Sequence, residues 1–426
     1  MGFSQGLSGL SVSAQNLDVL GNNIANANTV GFKTGEAQFA DVYAASLAGA
    51  GSTQLGLGAK ISGTRQLFTQ GNISATNNPL DVAINGGGFF IVSPAGTSTP
   101  FYSRNGQFSL DSNNFIVNNN GYQLQGYSIT STGAVGPIGP LQVSKAVIAP
   151  VTTGGSAAGT GVQANLNLNS SDSVIASAFN ANDPTTYNHS TALSVFDSLG
   201  NANTYTMYFT KTASNTWKVN TTVTDASGGI HTLGQLGTLN FDTSGALIST
   251  FPGVTAAPGA LSQTIPGTDL GSGGATSGVA NLTFPVSFSS STQYGTAFAV
   301  NSMTQDGSSS GQLAKFNIGT DGIITGTYTN GQTKKLGQVA LANFANPQGL
   351  QPQGNNLFAS TSNSGIALNN PPGSGGNGVL QSGATEDSNV DLTAQLVDLI
   401  TAQRTYQANA QTIKTQDTIL QTLVNL

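Results

Sequence analysis

The chain of 426 residues contains no cysteine, which removes disulfides, thiolate metal sites and cysteine nucleophiles together. Charge is nearly as scarce. Charged residues make up 7% of the sequence, against about 25% in an ordinary globular protein. The formal net charge is −6 and no block of Lys or Arg occurs, which argues against a nucleic-acid partner, because phosphates demand clustered cations. Glutamate occurs only at Glu36 and Glu386, which gives a pair of catalytic carboxylates little to be built from. His189 and His231 have no ligand-spaced neighbours and read as surface or turn residues, not as metal ligands or bases. No apolar run reaches the roughly 18 residues of a membrane span. The N-terminus MGFSQGLSGLSVSAQ has neither the basic and apolar regions nor the cleavage site of a secretory signal.

Chemical motifs are missing too. NGGGFF (85–90) resembles a phosphate-cradling loop, but it lacks the Lys-Ser/Thr pair and runs into a strand. The Asp-Gly turns lack the alternating ligands of a calcium loop. The expectation is a chain that is not an enzyme and has no cofactor or metal.

What is present is glycine, 55 of it, with abundant Asn, Ser and Thr, and two helical patterns at the extremities. Near the start, Phe3, Leu7, Leu10, Ala14, Leu17, Gly21 and Ile24 recur at heptad steps. Near the end, Leu392, Leu396, Leu399, Tyr406, Ala410, Ile413, Leu420 and Val424 do the same, with Gln403 and Asp417 also on the seam. SNVD (388–391) offers N-caps for this second helix. A lone pair of polar-faced helices is marginal in water, so both ends are expected to need another copy of the chain to order them.

Between the helices, about 73–359, the pattern is β. Leu80, Val82 and Ile84 alternate, and GGGFFIV (86–92) makes a glycine turn into a buried run. Asn105-Gly106, Asn120-Gly121, Asp306-Gly307, Asp321-Gly322 and Asn330-Gly331 mark turns. ALSVF, TYTMYF and TWKVNTTV within 192–224 read as strands. Linker-like composition occurs at 152–161, 266–278 and 371–378. The predicted fold class is mainly β with paired N- and C-terminal α-helices, in an elongated multidomain subunit whose β domains are nested as insertions between the helices. The expected partition is 1–30 with 388–426 helical, 31–72 with 360–387 a connector, 73–147 with 300–359 a β domain, and 148–299 an inserted, more acidic outer β domain.

The stretch NNIANANTVGFK (22–33) reads as a junction between an assembly-ordered helix and a self-folding body. Asn22, Asn23, Asn26 and Asn28 can satisfy backbone groups as the helix runs out. Gly31 can take a positive φ, and Phe32 is expected to dock where Lys33 stays solvated.

ANANTVGFK, continuing to Phe39, resembles the signature of the axial-protein family of the bacterial flagellum, which includes rod and hook subunits. PLDVAINGGGFFIV (79–92), FYSRNGQFSLD (101–111), NNGYQLQGY (119–127), GQVALANFANPQGLQ (337–351) and the C-terminal helix (388–423) are similar to it as well. The length and TALSVFDSLGNANTYTMYF (191–209) resemble the hook branch. Thr385 and Gln395 depart from the family pattern, which usually has Leu and an acidic residue there. The resemblance implies a structural subunit that polymerises into a curved hollow tube, a flexible joint passing motor torque to the filament. It marks Asn26, Asn28, Thr29, Gly31, Phe32 and Lys33 as signature residues. The assembly seams it implies are Leu7, Leu10, Leu17 and Ile24, and Leu392, Leu396, Leu399, Tyr406, Ile413 and Leu420. Implied partners are further copies in a helical homo-polymer and the rod, hook-cap, hook-length-control and hook–filament junction proteins. The implied location is extracellular, in hook and basal body, reached without a cleavable signal. A distal rod subunit and a secreted β-rich adhesin are the alternatives.

Overall fold

The computed structural model describes every residue except 1, 43–55, 98, 131–133, 157, 252–259, 271–277 and 425–426. The chain is mainly β, with helix α1 (Gly2–Ala25) at one end and helix α2 (Leu392–Val424) at the other. Among the described residues no helix is long and apolar enough to cross a membrane. Two units form: residues 1–145, 315–326 and 333–426 make the first, and 146–314 with 327–332 the second.

The second unit contains two five-stranded sheets. One is an antiparallel meander of His189–Phe196, Ala202–Ala213, Thr216–Thr224, Ile230–Phe241 and Leu247–Phe251. In the other, Val162–Asn169 pairs parallel with Leu282–Ser287 and antiparallel with Ala299–Gln305. Alternating inward residues of both sheets supply the core, as in a sandwich. Trp217, Tyr205, Phe209, Phe284 and Phe288 are buried in it. The ring of Tyr205 meets Phe284 edge-on at 5.5 Å, and its hydroxyl donates to Gln263 Oε1 at 3.1 Å.

The aspartates that looked turn-like close turns by one device. Asp225 Oδ1 accepts from the N–H groups of Ser227 and Gly229 at 2.9 and 2.8 Å. Asp242 does the same with Ser244 and Ala246, Asp111 with Asn113 and Phe115, and Asp197 with Leu199 and Asn201. A short side-chain acceptor thereby replaces a backbone carbonyl in the turn. Of the Asn-Gly and Asp-Gly pairs, Asn120-Gly121, Asp321-Gly322 and Asn330-Gly331 reverse the chain with glycine φ of 76 to 79°. Asp306 instead accepts from Gly154 N–H and Ser156 Oγ, which ties down the first of the three linker-like runs. The third is no tether either, since Asn377 is buried and donates to Leu341 O and Asn370 O. Residues 271–277 of the remaining run lie outside the described residues.

The first unit is built on a thirteen-stranded sheet. The run expected to be buried forms the strand Phe89–Ser93, buried along its whole length. Phe89 meets Phe68, Phe344 and Phe358 edge-on, at 5.3 to 6.1 Å between centroids. Three short pairings complete this unit. Gly35–Val42 runs antiparallel to Gly58–Gln66, Val82–Asn85 to Val379–Ser382, and Ile73–Ala75 to Ala384–Glu386. The last two lay residues near the C-terminal helix against the early β strands.

The hydrogen bonds at Asp225 have a pH consequence. The Ser227 hydroxyl, followed by the Gly229 N–H, holds its carboxyl down at about 2, and Ser244 depresses Asp242 in the same direction. An unfolded aspartate takes up its proton near about 3.9, so this stabilisation is complete above that value and is lost as pH falls toward 2. Asp225→Asn should flatten the acid loss of stability between about pH 4 and about pH 2. Urea titrations followed by the emission of buried Trp217 check this, and an unchanged acid slope would contradict it.

Candidate functional site

The junction begins where α1 runs out. Asn26 N–H donates to the Asn22 and Asn23 carbonyls at 3.1 and 3.2 Å, and Thr29 N–H to Asn26 O at 3.0 Å. Asn26 Nδ2 donates back to Asn22 O at 3.0 Å, and Thr29 Oγ1 to Asn26 Oδ1 at 3.1 Å. Asn23 is buried and has a longer reach. Its amide exchanges two hydrogen bonds with the backbone of Gly35 and donates to Gln395 Oε1 at 2.9 Å. Gln395 thus ties the start of α2 to the end of α1 through its amide oxygen. Asn28 is exposed, and Phe32 half-buried.

Gly31 takes φ +72° and donates to Glu386 O at 2.7 Å. A Cβ there would stand 2.6 Å from Asn105 N, so both the dihedral and the space require glycine. Val30 O accepts from Asn356 Nδ2 at 2.8 Å. Thr34 donates through its N–H and hydroxyl to Asn389 Oδ1, both at 2.8 Å. Asn389 in turn donates to Leu67 O and Thr69 Oγ1.

Lys33 overturns the expectation of a solvated cation. Its side chain is 0% exposed and bonds to Glu386 Oε1 at 2.6 Å and to Thr69 O at 2.7 Å. The aliphatic stem does not snorkel, because the ammonium finds a buried carboxylate closer than water. Glu386 Oε1 also accepts from Gly71 N–H, and its Oε2 from Arg104 Nη1 at 3.2 Å. Arg104 Nη2 donates to Gly86 O, and the guanidinium lies 5.3 Å from the centroid of the Phe89 ring. Burial pushes Lys33 below the usual lysine range, with Glu386 opposing that shift. The same two causes, in the same order, lower Arg104. Two cations thus share one carboxylate, all three out of water.

Sequence reasoning did not find Glu386 and Arg104 as site residues. The usable signal was scarcity, because one of only two glutamates sits five residues before the cap of α2. The cap itself is Asp391, whose Oδ1 accepts from Thr393 and Ala394 N–H.

The terminal helices pair antiparallel, with Asn23 near Gln395 at one end and Gly6 near Ile413 at the other. They approach through small residues. Ideal Cβ atoms on Gly6 and Gly9 would come within 3.0 Å of Ile413 Cγ1 and 2.9 Å of Asn409. Ser13 is buried beside Asn409. Leu10, Leu17, Ile24, Leu399 and Ile413 are half-buried. Leu7, Leu392, Leu396, Tyr406 and Leu420 are left 36 to 54% exposed, and Phe3, Val397, Ile400 and Ile419 also face solvent. The expected seam residues therefore fall into two groups, one lining the helix pair and one turned outward. Between the helices and the Gly35–Val42 strand lies a groove of about 500 Å³, which Val12, Val19, Leu20, Phe39, Leu67 and Ala402 help to line.

Catalytic geometry is thin. His189 is half-buried, with Nε2 in hydrogen-bond contact with Asp172 Oδ2 and its ring stacked on Phe298 at 4.4 Å. It sits at the start of a strand rather than in a turn. Among the described residues no group of three or more His, Asp or Glu is arranged to hold a metal ion.

Comparison with known proteins bears on what this junction serves. The chain is 43% identical to the flagellar hook protein FlgE of Escherichia coli over the full length of both chains. It belongs to the flagellar hook protein family. A hook protein from Borreliella burgdorferi is 34% identical, over 99% of this chain and 98% of that one. Four family models match in chain order. "Flagella basal body rod protein" covers 5–33 and "Flagellar hook protein FlgE/F/G D1 domain" 83–162. "Flagellar basal body protein FlaE D2 domain" covers 165–308 and "Flagellar basal body rod FlgEFG protein C-terminal" 381–426. The crystal structure of Helicobacter pylori flagellar hook protein FlgE2 shares the fold, with TM-score 0.51 at 14% identity over 72% of this chain and 99% of that one. The first and last of these four matches contain Lys33 and Glu386 respectively, the two ends of the buried ion pair.

Removing the shared carboxylate should be costly. Glu386→Gln leaves two buried cations without an anion and is expected to weaken the hold of the junction segment on the first unit by about 3–5 kcal/mol. Denaturant unfolding followed by far-ultraviolet circular dichroism measures this, and a loss under about 1 kcal/mol would contradict the account.

Proposed function

We propose that the chain is the structural subunit of a flagellar hook, and that its terminal helices are its polymerisation surface. Copies assemble into a curved hollow tube with the helices innermost, a flexible joint that carries motor torque to the filament. The observation that carries this reading is the outward apolar set on both helices: Leu7 is 53%, Leu392 47%, Leu396 45% and Leu420 54% exposed. A monomer rarely leaves a helix apolar along two sides. Membership of the hook family supports a second copy as what covers it. The helical inner domain, the connector and the nested β domains are proposed as partitioned above, with the outer domain carried on to 314 because Ala299–Gln305 pairs with Val162–Asn169. Rod, hook-cap, hook-length-control and junction proteins are the proposed end partners, and export without a cleavable signal is the proposed route. The role is mechanical, with no catalysis.

Leu7→Asp and Leu396→Asp should each abolish tubes in electron micrographs while leaving Trp217 emission unchanged. Tubes of normal yield and shape from both variants would overturn the reading. Helical circular dichroism of the wild-type chain should also rise on polymerisation if neighbouring copies order α1 and α2. An unchanged helical signal would remove that part of the mechanism.

A further inference from the structure

We infer that Glu386 is a completeness latch: it fixes the N-terminal junction, and with it the exit of α1, only once the C-terminal segment has joined the body. The inference rests on the reading of the helices as the polymerisation surface and adds a condition on when that surface is set.

The argument is one of dependence. Lys33 and Glu386 are 353 positions apart, and Arg104 and Glu386 282. The segment 30–34 makes its polar contacts largely with residues far along the chain. Gly31 N–H bonds to Glu386 O, Lys33 Nζ to Glu386 Oε1, Thr34 to Asn389, and Asn356 to Val30 O. Of these acceptors for the segment's donors, Glu386 and Asn389 flank the start of α2. Before they arrive, the Lys33 ammonium has Thr69 O but no anion, and Arg104 keeps Gly86 O and the Phe89 face.

The two cations differ in what holds them. Arg104 lies beside the strand Phe101–Ser103 in the β body, within a few residues of buried Tyr102 and Phe108. Lys33 lies on a segment held by the contacts just named, by Leu67 N–H on Thr34 O, and by the packing of Gly31 on the Asn105 backbone. A buried cation without its anion is strongly disfavoured, and the segment able to move away is the one bearing Lys33. Opening therefore frees 26–34 and leaves the sheet standing. The same residues then launch α1 at one side of the closed latch and α2 at the other, through Asn23 with Gln395 and Asn389 with Thr34. An incomplete chain keeps α1 unaligned, and completion aligns both helices together.

Trypsin reads the latch directly, because it cuts after the residues concerned. In the dilute full-length chain, the exposed Lys60 and Arg65 should be cut promptly while Lys33 and Arg104 resist. In full-length Glu386→Ala, cleavage after Lys33 should accelerate by at least about tenfold, and Arg104 should stay protected. Asn389→Ala should open Lys33 partially with Arg104 again spared. Lys33 protected in Glu386→Ala as in the wild type would overturn the latch. So would Lys33 and Arg104 opening in step, which would make Glu386 a general stabiliser of the unit. These digests need no polymer, so they are independent of Leu396→Asp: normal tubes from that variant would refute the surface and leave the trypsin result standing.

Discussion

Placing Glu386 between Lys33 and Arg104 takes three charges out of water, at a desolvation cost of several kcal/mol per ion. The arrangement persists because every oxygen of the carboxylate is used, on an ammonium, a guanidinium and the Gly71 N–H. Such a cluster adds little net stability over a well-packed apolar core. What it adds is location. An apolar contact tolerates sliding, whereas a carboxylate forked between two cations accepts one arrangement, and that arrangement sets where both helices leave the body.

The rest of the chain divides its apolar residues according to the same plan. The second unit encloses its large side chains, with Trp217, Tyr205, Phe209, Phe284 and Phe288 all buried between its sheets. The first unit does so around Phe89. The helices do the opposite, meeting each other through Gly6, Gly9 and Ser13 and turning leucines outward. Small residues let two backbones come close with only part of the apolar set, Leu10, Leu17, Leu399 and Ile413, half-buried, which leaves Leu7, Leu392, Leu396 and Leu420 for something outside the chain. The low charge of the sequence suits the same end, because few ions need desolvating when such faces are covered.

Much of this was legible from residues alone. Heptad spacing located both helices, and Asn120-Gly121, Asp321-Gly322 and Asn330-Gly331 located three chain reversals, because these signals are local. The junction was recognised as a change of structure at NNIANANTVGFK for the same reason. Lys33 was misjudged because its environment is set by Glu386, 353 positions away, and nothing local marks a lysine as destined for burial. The division of the seam into inward and outward residues was also hidden, since a heptad stripe looks identical whether leucine or glycine carries the close contact. The loop at 371–378 looked like a tether by composition. Its buried Asn377, bonded to Leu341 O, shows that glycine-rich sequence can equally serve a tight packed turn.

The antiparallel pairing of α1 and α2 also governs how copies feel one another at a distance. Each helix carries a partial positive charge at its first turn and a partial negative charge at its last. Side by side and reversed, the two largely cancel over their shared length. Neither helix has an acidic residue in its first turn or a basic one in its last to restore a field there. The dipoles themselves therefore contribute little field along the shared axis, and the charge an approaching copy meets there is that of Asp18, Asp391, Asp398 and Asp417 against Arg404 and Lys414.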